Sequence, residues 1–308
     1  MKPIKVAVIG VGHLGSIHAR IYSQLESAQL VAVCDTDSER ACTIASSYNA
    51  CRPVTDYRQL LGTVDAVSIA VPTHLHFAIG KDFLSHKIHT LIEKPITGNL
   101  READQLLRLA QKSGVTLQVG HVERFNATLT KVRSSLTDPR FIEVHRLAPF
   151  QPRGTEVGVV LDLMIHDIDI LLWLVKSKIR KIEAVGVRVL TPFEDIANAR
   201  ITFANGSVAN LTASRISKEA MRKFRIFQPD AYVSMDFLGQ AADIFQRTNG
   251  SIGHERLTIS GEEPLKAELH AFLQSIHQKT APPVSGKEAR EALAVALKIT
   301  QLVHKNHP

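Results

Sequence analysis

Three groups of residues in this 308-residue chain have the types and spacing to do chemistry. The first is Gly10-Val11-Gly12-His13-Leu14-Gly15, a G-x-G-x-x-G turn that directly follows the apolar run Val6-Ala7-Val8-Ile9 and opens a helical stretch. Asp35 stands at the end of the next β-branched run, at the distance the dinucleotide fingerprint requires. The glycines permit a tight turn and let the main chain approach a pyrophosphate, whose charge then meets a helix N-terminus. A carboxylate at position 35 accepts hydrogen bonds from ribose hydroxyls and repels a 2′-phosphate, so the pattern predicts NAD in preference to NADP. Arg40 is the nearby residue that works against that preference.

The second group is Leu91-Ile92-Glu93-Lys94-Pro95. A strand ending in lysine and proline puts an amine at the carboxyl edge of a sheet, where open α/β sheets bind ligands. The third is Asp162-Leu163-Met164-Ile165-His166-Asp167-Ile168-Asp169, set in an apolar stretch of helical length. Helical spacing puts Asp162 and His166 on one face, as it does His166 and Asp169. Four polar groups in so apolar a segment need partners or a cavity. A metal site is a rival reading of the same residues, and a satisfied core histidine is another. No other dense His/Cys/Asp cluster stands out to complete a ligand set, so no metal is expected. Of the two candidate proton carriers, His166 is the easier base, because imidazole titrates near neutrality whereas lysine holds its proton.

The elements that must position these groups follow two rhythms. Up to about residue 120, short β-branched runs (4–9, 30–34, 66–71, 90–92, 116–119) alternate with amphipathic segments (14–25, 38–47, 77–85, 101–112). Such alternation predicts a Rossmann-type, doubly wound parallel sheet. After His121 longer strand-like runs follow at 141–147, 182–190, 197–203, 208–214, 223–227 and 231–237, with turn signals such as Asn205-Gly206, as in an antiparallel sheet. Helices return at 264–278 and 287–304. The fold class is α/β, with a dinucleotide-binding domain over residues 1–120 and a second α/β domain over 121–286 built on a large, mostly antiparallel open sheet. The C-terminal helix, about 287–308, is expected to pack back on the first domain.

Composition narrows the classes. Apolar residues make up 44% and charged ones 22%, ordinary globular values that exclude a disordered or fibrous chain. The most apolar stretch, 161–175, is interrupted by three aspartates and a histidine, so no membrane span is expected. The N-terminus has no signal-peptide pattern, and the expected location is the cytoplasm. Three cysteines without a C-x-x-C pair argue against a disulfide framework. The net charge is +7, and most of the excess lies beyond residue 120, with 25 basic against 20 acidic residues there. That excess suits an anionic small molecule, whereas the absence of basic runs interleaved with aromatics argues against nucleic acid.

Taken in order, Gly10–Gly15, Glu93-Lys94-Pro95 and Asp162-x-x-x-His166 resemble the glucose–fructose oxidoreductase/inositol dehydrogenase (Gfo/Idh/MocA) family over nearly the whole chain. Pro72-Thr73 with His76, and Val284-Ser285-Gly286, are similar to it as well. Val159 and Met164 depart from the pattern, standing where many members have glycine. The resemblance implies that Gly10, Gly12, His13, Leu14, Gly15, Asp35, Pro72, Thr73, His76, Glu93 and Lys94 border NAD. It implies that Lys94 and His166 face the substrate, with His166 as base, Lys94 as electrostatic partner of a developing alkoxide and Asp162 orienting the pair, that the Lys94-Pro95 bond is cis, and that the chain forms a homodimer or homotetramer through its large sheet. The segments 120–126 and 222–232 are most similar to the branch that oxidises the 3-hydroxyl of UDP-N-acetylglucosamine-type sugar nucleotides, with Glu123, Arg124 and Asn126 as substrate-binding residues. Arg124, Arg222, Lys223 and Arg225 could offer charge to a diphosphate. The expected function is therefore NAD-dependent oxidation of a sugar hydroxyl, with a UDP-sugar as substrate. Rival readings are an inositol or free-sugar dehydrogenase and a non-catalytic NAD-binding regulator. The presence of Lys94, Asp162 and His166 argues against the last.

Overall fold

A computed structural model describes residues 2–152, 156–248 and 251–306. The chain forms two compact units, one of Met1–Val122 with Glu263–Arg290 and the other of Glu123–Glu262 with Glu291–Pro308.

The first unit is built on six parallel strands: β1 (Ile4–Ile9), β2 (Ala28–Cys34), β3 (Arg52–Val54), β4 (Ala66–Ile69), β5 (His89–Glu93) and β6 (Leu117–Gly120). Their spatial order is β3-β2-β1-β4-β5-β6. Helices α1 (His13–Gln24), α2 (Ser38–Ala45), α3 (Thr73–Ser85) and α4 (Leu100–Ser113) form the crossovers. Val6, Ala7, Val8 and Ile9 of β1 and every residue of β4 are buried, as expected of strands covered on both faces. The strand order reverses between β1 and β4, and the crevice at their carboxyl ends is the switch point where such sheets take ligands. The pattern of β-branched runs missed β3. It is only three residues long and contains Pro53, which an edge strand tolerates.

The second unit holds α5 (Ala127–Val132), a π-helical turn at Val160–Met164, α6 (Ile165–Val175) and an eight-stranded sheet. The strands are β7 (Phe141–Leu147), β8 (Ile179–Val187), β9 (Ile196–Phe203), β10 (Val208–Ser214), β11 (Met221–Gln228), β12 (Ala231–Asp236), β13 (Ala241–Thr248) and β14 (Ser251–Thr258). Their order is β14-β13-β12-β11-β7-β10-β9-β8. Among the described strands of this sheet only β7 and β10 pair in parallel. Ile142, Val144, Ile201, Leu211, Phe224, Ile226 and Val233 share a core with Met164, Ile165, Ile168 and Leu171 of the helical segment. Phe141, Phe227, Tyr232, Phe245 and His254 are successive cross-strand partners, and their rings stand 4.3–5.7 Å apart in a row. Strands β13 and β14 escaped the sequence reading, since both are rich in polar residues and β14 is exposed along most of its length.

Two later helices, α7 (Pro264–Gln278) and α8 (Gly286–Asn306), fall where the periodicity put them but pack differently. Leu265, Leu269, Phe272 and Leu273 of α7 join the core of the first unit, although the sequence reading gave 264–278 to the second domain. Conversely, Ala292, Val295, Ala296, Ile299 and Val303 of α8 join the core of the second, so only its start belongs to the first unit. The apolar stripe of a helix shows that it packs, not on what.

Candidate active site

In the first unit, β1 delivers the chain to Gly10, whose φ of +82° favours glycine and whose N–H donates to Cys34 O at 2.7 Å. A Cβ at Gly10 would come within 2.7 Å of Ala70 O, and one at Gly15 would overlap the Gly10 carbonyl. Gly12, by contrast, faces open space and caps α1 without a side chain on the first turn. The N–H groups there, at the positive end of the helix, can meet an anion, with His13 and the partly exposed Leu14 in that first turn.

Asp35 is held at the end of β2. One oxygen accepts from Val11 N at 3.0 Å, and the other accepts from Asp37 N at 3.0 Å and Arg40 Nη1 at 3.2 Å. Arg40 also pairs with Asp37 at 3.0 Å, which balances its charge inside the loop. On the far side of the switch point Pro72 and Thr73 open α3. His76 is buried there, with Nδ1 2.8 Å from Pro95 O and Nε2 2.8 Å from Val71 O, tying the turn after β4 to the turn after β5. Burial lowers the His76 pKa, and the hydrogen bonds to those two carbonyls oppose it. Glu93 is buried and accepts from Lys94 N at 3.2 Å, and the Lys94–Pro95 peptide is cis.

In the second unit Asp162 lies within the π-helical turn and His166 in the first turn of α6. The stretch is therefore not the single α-helix that the spacing predicted. Such wide turns recur at functional sites. Asp162 Oδ2 stands 3.7 Å from the buried Arg215 Nη2, which donates to Val157 O at 2.8 Å.

The two neighbouring aspartates have partners of their own. Arg146, 4% exposed on β7, meets both oxygens of Asp167 at 2.8–3.0 Å and Glu123 Oε1 at 2.9 Å. Arg124 makes a two-pronged pair with Asp169 at 2.6 and 2.9 Å and stacks on Trp173 at 5.0 Å. Burial raises the pKa of Asp167 despite Arg146 beside it. Burial also pushes Glu123 up, but Arg146 and Arg222 outweigh it, and its pKa ends lowered. Asn126 accepts from Thr128 N at 3.0 Å and so caps α5.

The sequence offered Arg124, Arg222, Lys223 and Arg225 as charge for a diphosphate. Arg124 is committed to Asp169, Arg225 pairs with Glu143 at 2.8 Å, and Arg222 touches Glu123 at 3.1 Å with 47% of its side chain exposed. Arg146 and Arg215 were missed because nothing local marks them. Among the described residues no group of three or more His, Cys, Asp and Glu could hold a metal ion, and no helix is long and apolar enough to cross a membrane.

Residues 4–121 match the oxidoreductase family with an NAD-binding Rossmann fold, and residues 124–233 match the Gfo/Idh/MocA C-terminal domain. This chain belongs to the Gfo/Idh/MocA family. Within that family it is 39% identical, over 96% of both chains, to UDP-N-acetylglucosamine 3-dehydrogenase of Acidithiobacillus ferrooxidans. A crystal form of that enzyme superposes with a TM-score of 0.93 at 38% identity, covering 99% of each chain. Myo-inositol 2-dehydrogenase of Thermotoga maritima is 23% identical over 94% of this chain and 93% of its own. As in a Gfo/Idh/MocA oxidoreductase, the Gly10–Gly15 cradle, open at Gly12 and closed at Gly10 and Gly15, together with the anchored Asp35, fits NAD.

Proposed function

We propose that this protein is an NAD-dependent dehydrogenase that oxidises the 3-hydroxyl of UDP-N-acetylglucosamine, or of a closely similar UDP-sugar, to a ketone. The 39% identity to an enzyme of that name, sustained over 96% of both chains, carries the reading. Bound NAD supplies the hydride acceptor. Gly10, Gly12, His13, Leu14 and Gly15 hold its pyrophosphate, Asp35 its adenosine ribose, and Pro72 and Thr73 its nicotinamide half, with the buried His76 and Glu93 bracing the turns beside it. His166 takes the proton from the reacting hydroxyl, and Lys94 donates a hydrogen bond to the oxygen as negative charge grows there. Asp162, braced by Arg215, orients His166.

Glu123, Arg124 and Asn126 serve the substrate by fixing the wall of the site. Arg124 locks α6 through Asp169, while Asn126 caps the helix that follows. Arg222 supplies exposed charge for the diphosphate. The enzyme works in the cytoplasm as a homodimer or homotetramer joined through the large sheet, whose ring row presents Phe227 and His254 to the outside.

The test is NADH formation from UDP-N-acetylglucosamine, free N-acetylglucosamine and myo-inositol, with NAD in excess. The nucleotide contributes binding energy remote from the reacting carbon, so kcat/KM for the UDP-sugar should exceed that for either free compound by ~100-fold or more. Equal values would replace the reading with a polyol dehydrogenase.

A further inference from the structure

A row of buried polar side chains ends at the main chain of Lys94, and three of its four members belong to no motif. Tyr22 and His18 lie on α1, Ser68 on β4 and Glu93 at the end of β5. Tyr22 Oη is 3.0 Å from Ser68 Oγ, which is 3.2 Å from His18 Nδ1. His18 Nε2 stands 3.2 Å from Glu93 Oε1, a close polar approach that is off the line of a hydrogen bond, and Glu93 Oε2 accepts from Lys94 N at 3.2 Å. Tyr22, His18 and Ser68 are wholly buried, and Glu93 is 7% exposed.

Ser68 Oγ links Tyr22 to His18, and the Ser68 hydroxyl donates to His18 in the tautomer that turns an Nε2–H toward Glu93. Burial raises the Tyr22 pKa well above its ordinary value, which keeps the phenol a donor. On its other side the Glu93 carboxylate fills the space over Gly120, where a Cβ would come within 2.6 Å of Oε1. The carboxylate is thus boxed in by an imidazole, a glycine and the amide that begins the Lys94–Pro95 turn.

We propose that His18 is a positioning residue for Lys94: held by Ser68, it fixes the Glu93 carboxylate, which in turn fixes the main chain from which the Lys94 amine reaches the reacting hydroxyl. This rests on the reading of Lys94 given above. The row lies inside the first unit, has no outlet to solvent through Tyr22, and so acts by geometry rather than as a proton path.

The test compares the wild type with His18→Leu, His18→Gln and Ser68→Ala, measuring NAD affinity by calorimetry and kcat and KM with UDP-N-acetylglucosamine. Misplacement of a reacting group by about an ångström costs up to ~100-fold in rate, so His18→Leu should lower kcat by ~10- to 100-fold with NAD affinity and sugar KM within about threefold. His18→Gln, which keeps a polar N–H group of similar reach beside Glu93, should recover much of that loss, and Ser68→Ala should fall between the two. Unchanged kcat in His18→Leu and Ser68→Ala overturns the proposal, as does a glutamine variant no better than leucine. If His18→Leu does not fold, kcat in the other two variants decides in the same sense. If the wild type oxidises no UDP-sugar, the substrate reading has failed by itself, and the positioning is read from the acetylation rate of Lys94 by peptide mass spectrometry. A change of about threefold or more in Ser68→Ala, with the exposed Lys81 unaffected, supports it, and equal rates overturn it.

Discussion

In the first unit the turns at the carboxyl ends of the strands are fixed largely by main chain and by short polar contacts: Gly10 N–H to Cys34 O, Val11 N–H to Asp35, Lys94 N–H to Glu93, and His76 between two carbonyls. In the second unit the segment that bears His166 is fixed by buried ion pairs, Arg146 with Asp167 and Glu123, and Arg124 with Asp169. The contrast follows from what each must hold. A turn that cradles a pyrophosphate needs small residues and free N–H groups, so the main chain does the holding. An apolar helix with aspartates buried along it needs partners for them, and the two-pronged pairs of a guanidinium supply those partners and fix the helix's rotation about its axis.

The largest effect expected from this contrast is on stability. Arg146→Met leaves Asp167 and Glu123 buried beside an apolar chain and should cost about 3–5 kcal/mol in equilibrium urea unfolding. The double variant Arg146→Met/Asp167→Leu, in which Glu123 keeps Arg222, should recover much of it. In the first unit Arg20 pairs with Glu263 with both side chains 42% exposed, and Arg20→Ala should cost at most about 1 kcal/mol. Equal costs at Arg146 and Arg20 would break the comparison.

Next in size is catalysis, where one residue from each unit is at stake. Lys94→Ala and His166→Ala should each lower kcat by ~100-fold or more, about 2.7 kcal/mol in the barrier, while calorimetry finds NAD affinity largely intact. Near-normal turnover in both variants would remove them from the chemistry.

The smallest effect probes a place where the second unit adopts the first unit's manner. Asp195 accepts from the N–H groups of Val189, Leu190 and Thr191 at 2.6–3.0 Å and from the Thr191 hydroxyl at 2.8 Å. Burial pushes its pKa up, but these donors outweigh burial and hold it below the usual carboxylate value. A lowered folded pKa gives stability that is fully present above the unfolded value of about 3.9 and is lost as pH falls through the folded one. Unfolding free energy measured from neutral pH down into that range should therefore decline less steeply in Asp195→Asn than in the wild type. An identical slope would show that the loop's N–H groups do not favour the ionised form.

The same contrast explains what the sequence made legible. The Gly10–Gly15 turn and Asp35 could be read because their work is local, each glycine answering to its own main-chain neighbourhood. The strands β1, β7 and β10 were legible to the residue because burial runs through β1 from Val6 on and alternation runs through β7 and most of β10. Asp167 and Asp169 announced that partners must exist without naming Arg146 and Arg124, since pairing across 21 and 45 residues is a property of the folded chain. His18 left no signal at all. On a helix one buried imidazole looks like any other polar residue until Ser68 and Glu93 are brought to it.

The return of α7 to the first unit has a consequence for the order of events during synthesis. The sheet β1–β6 is complete when residue 120 leaves the ribosome, but Leu265, Leu269, Phe272 and Leu273, which close its core, are still unmade. At about 5–20 residues per second the roughly 170 residues up to Arg290 take on the order of ten to thirty seconds to translate. Through that interval the first unit has α1 but not α7 on this core, while the strands of the second unit are synthesised, so the earlier part of the chain completes its core only after the later sheet has been made.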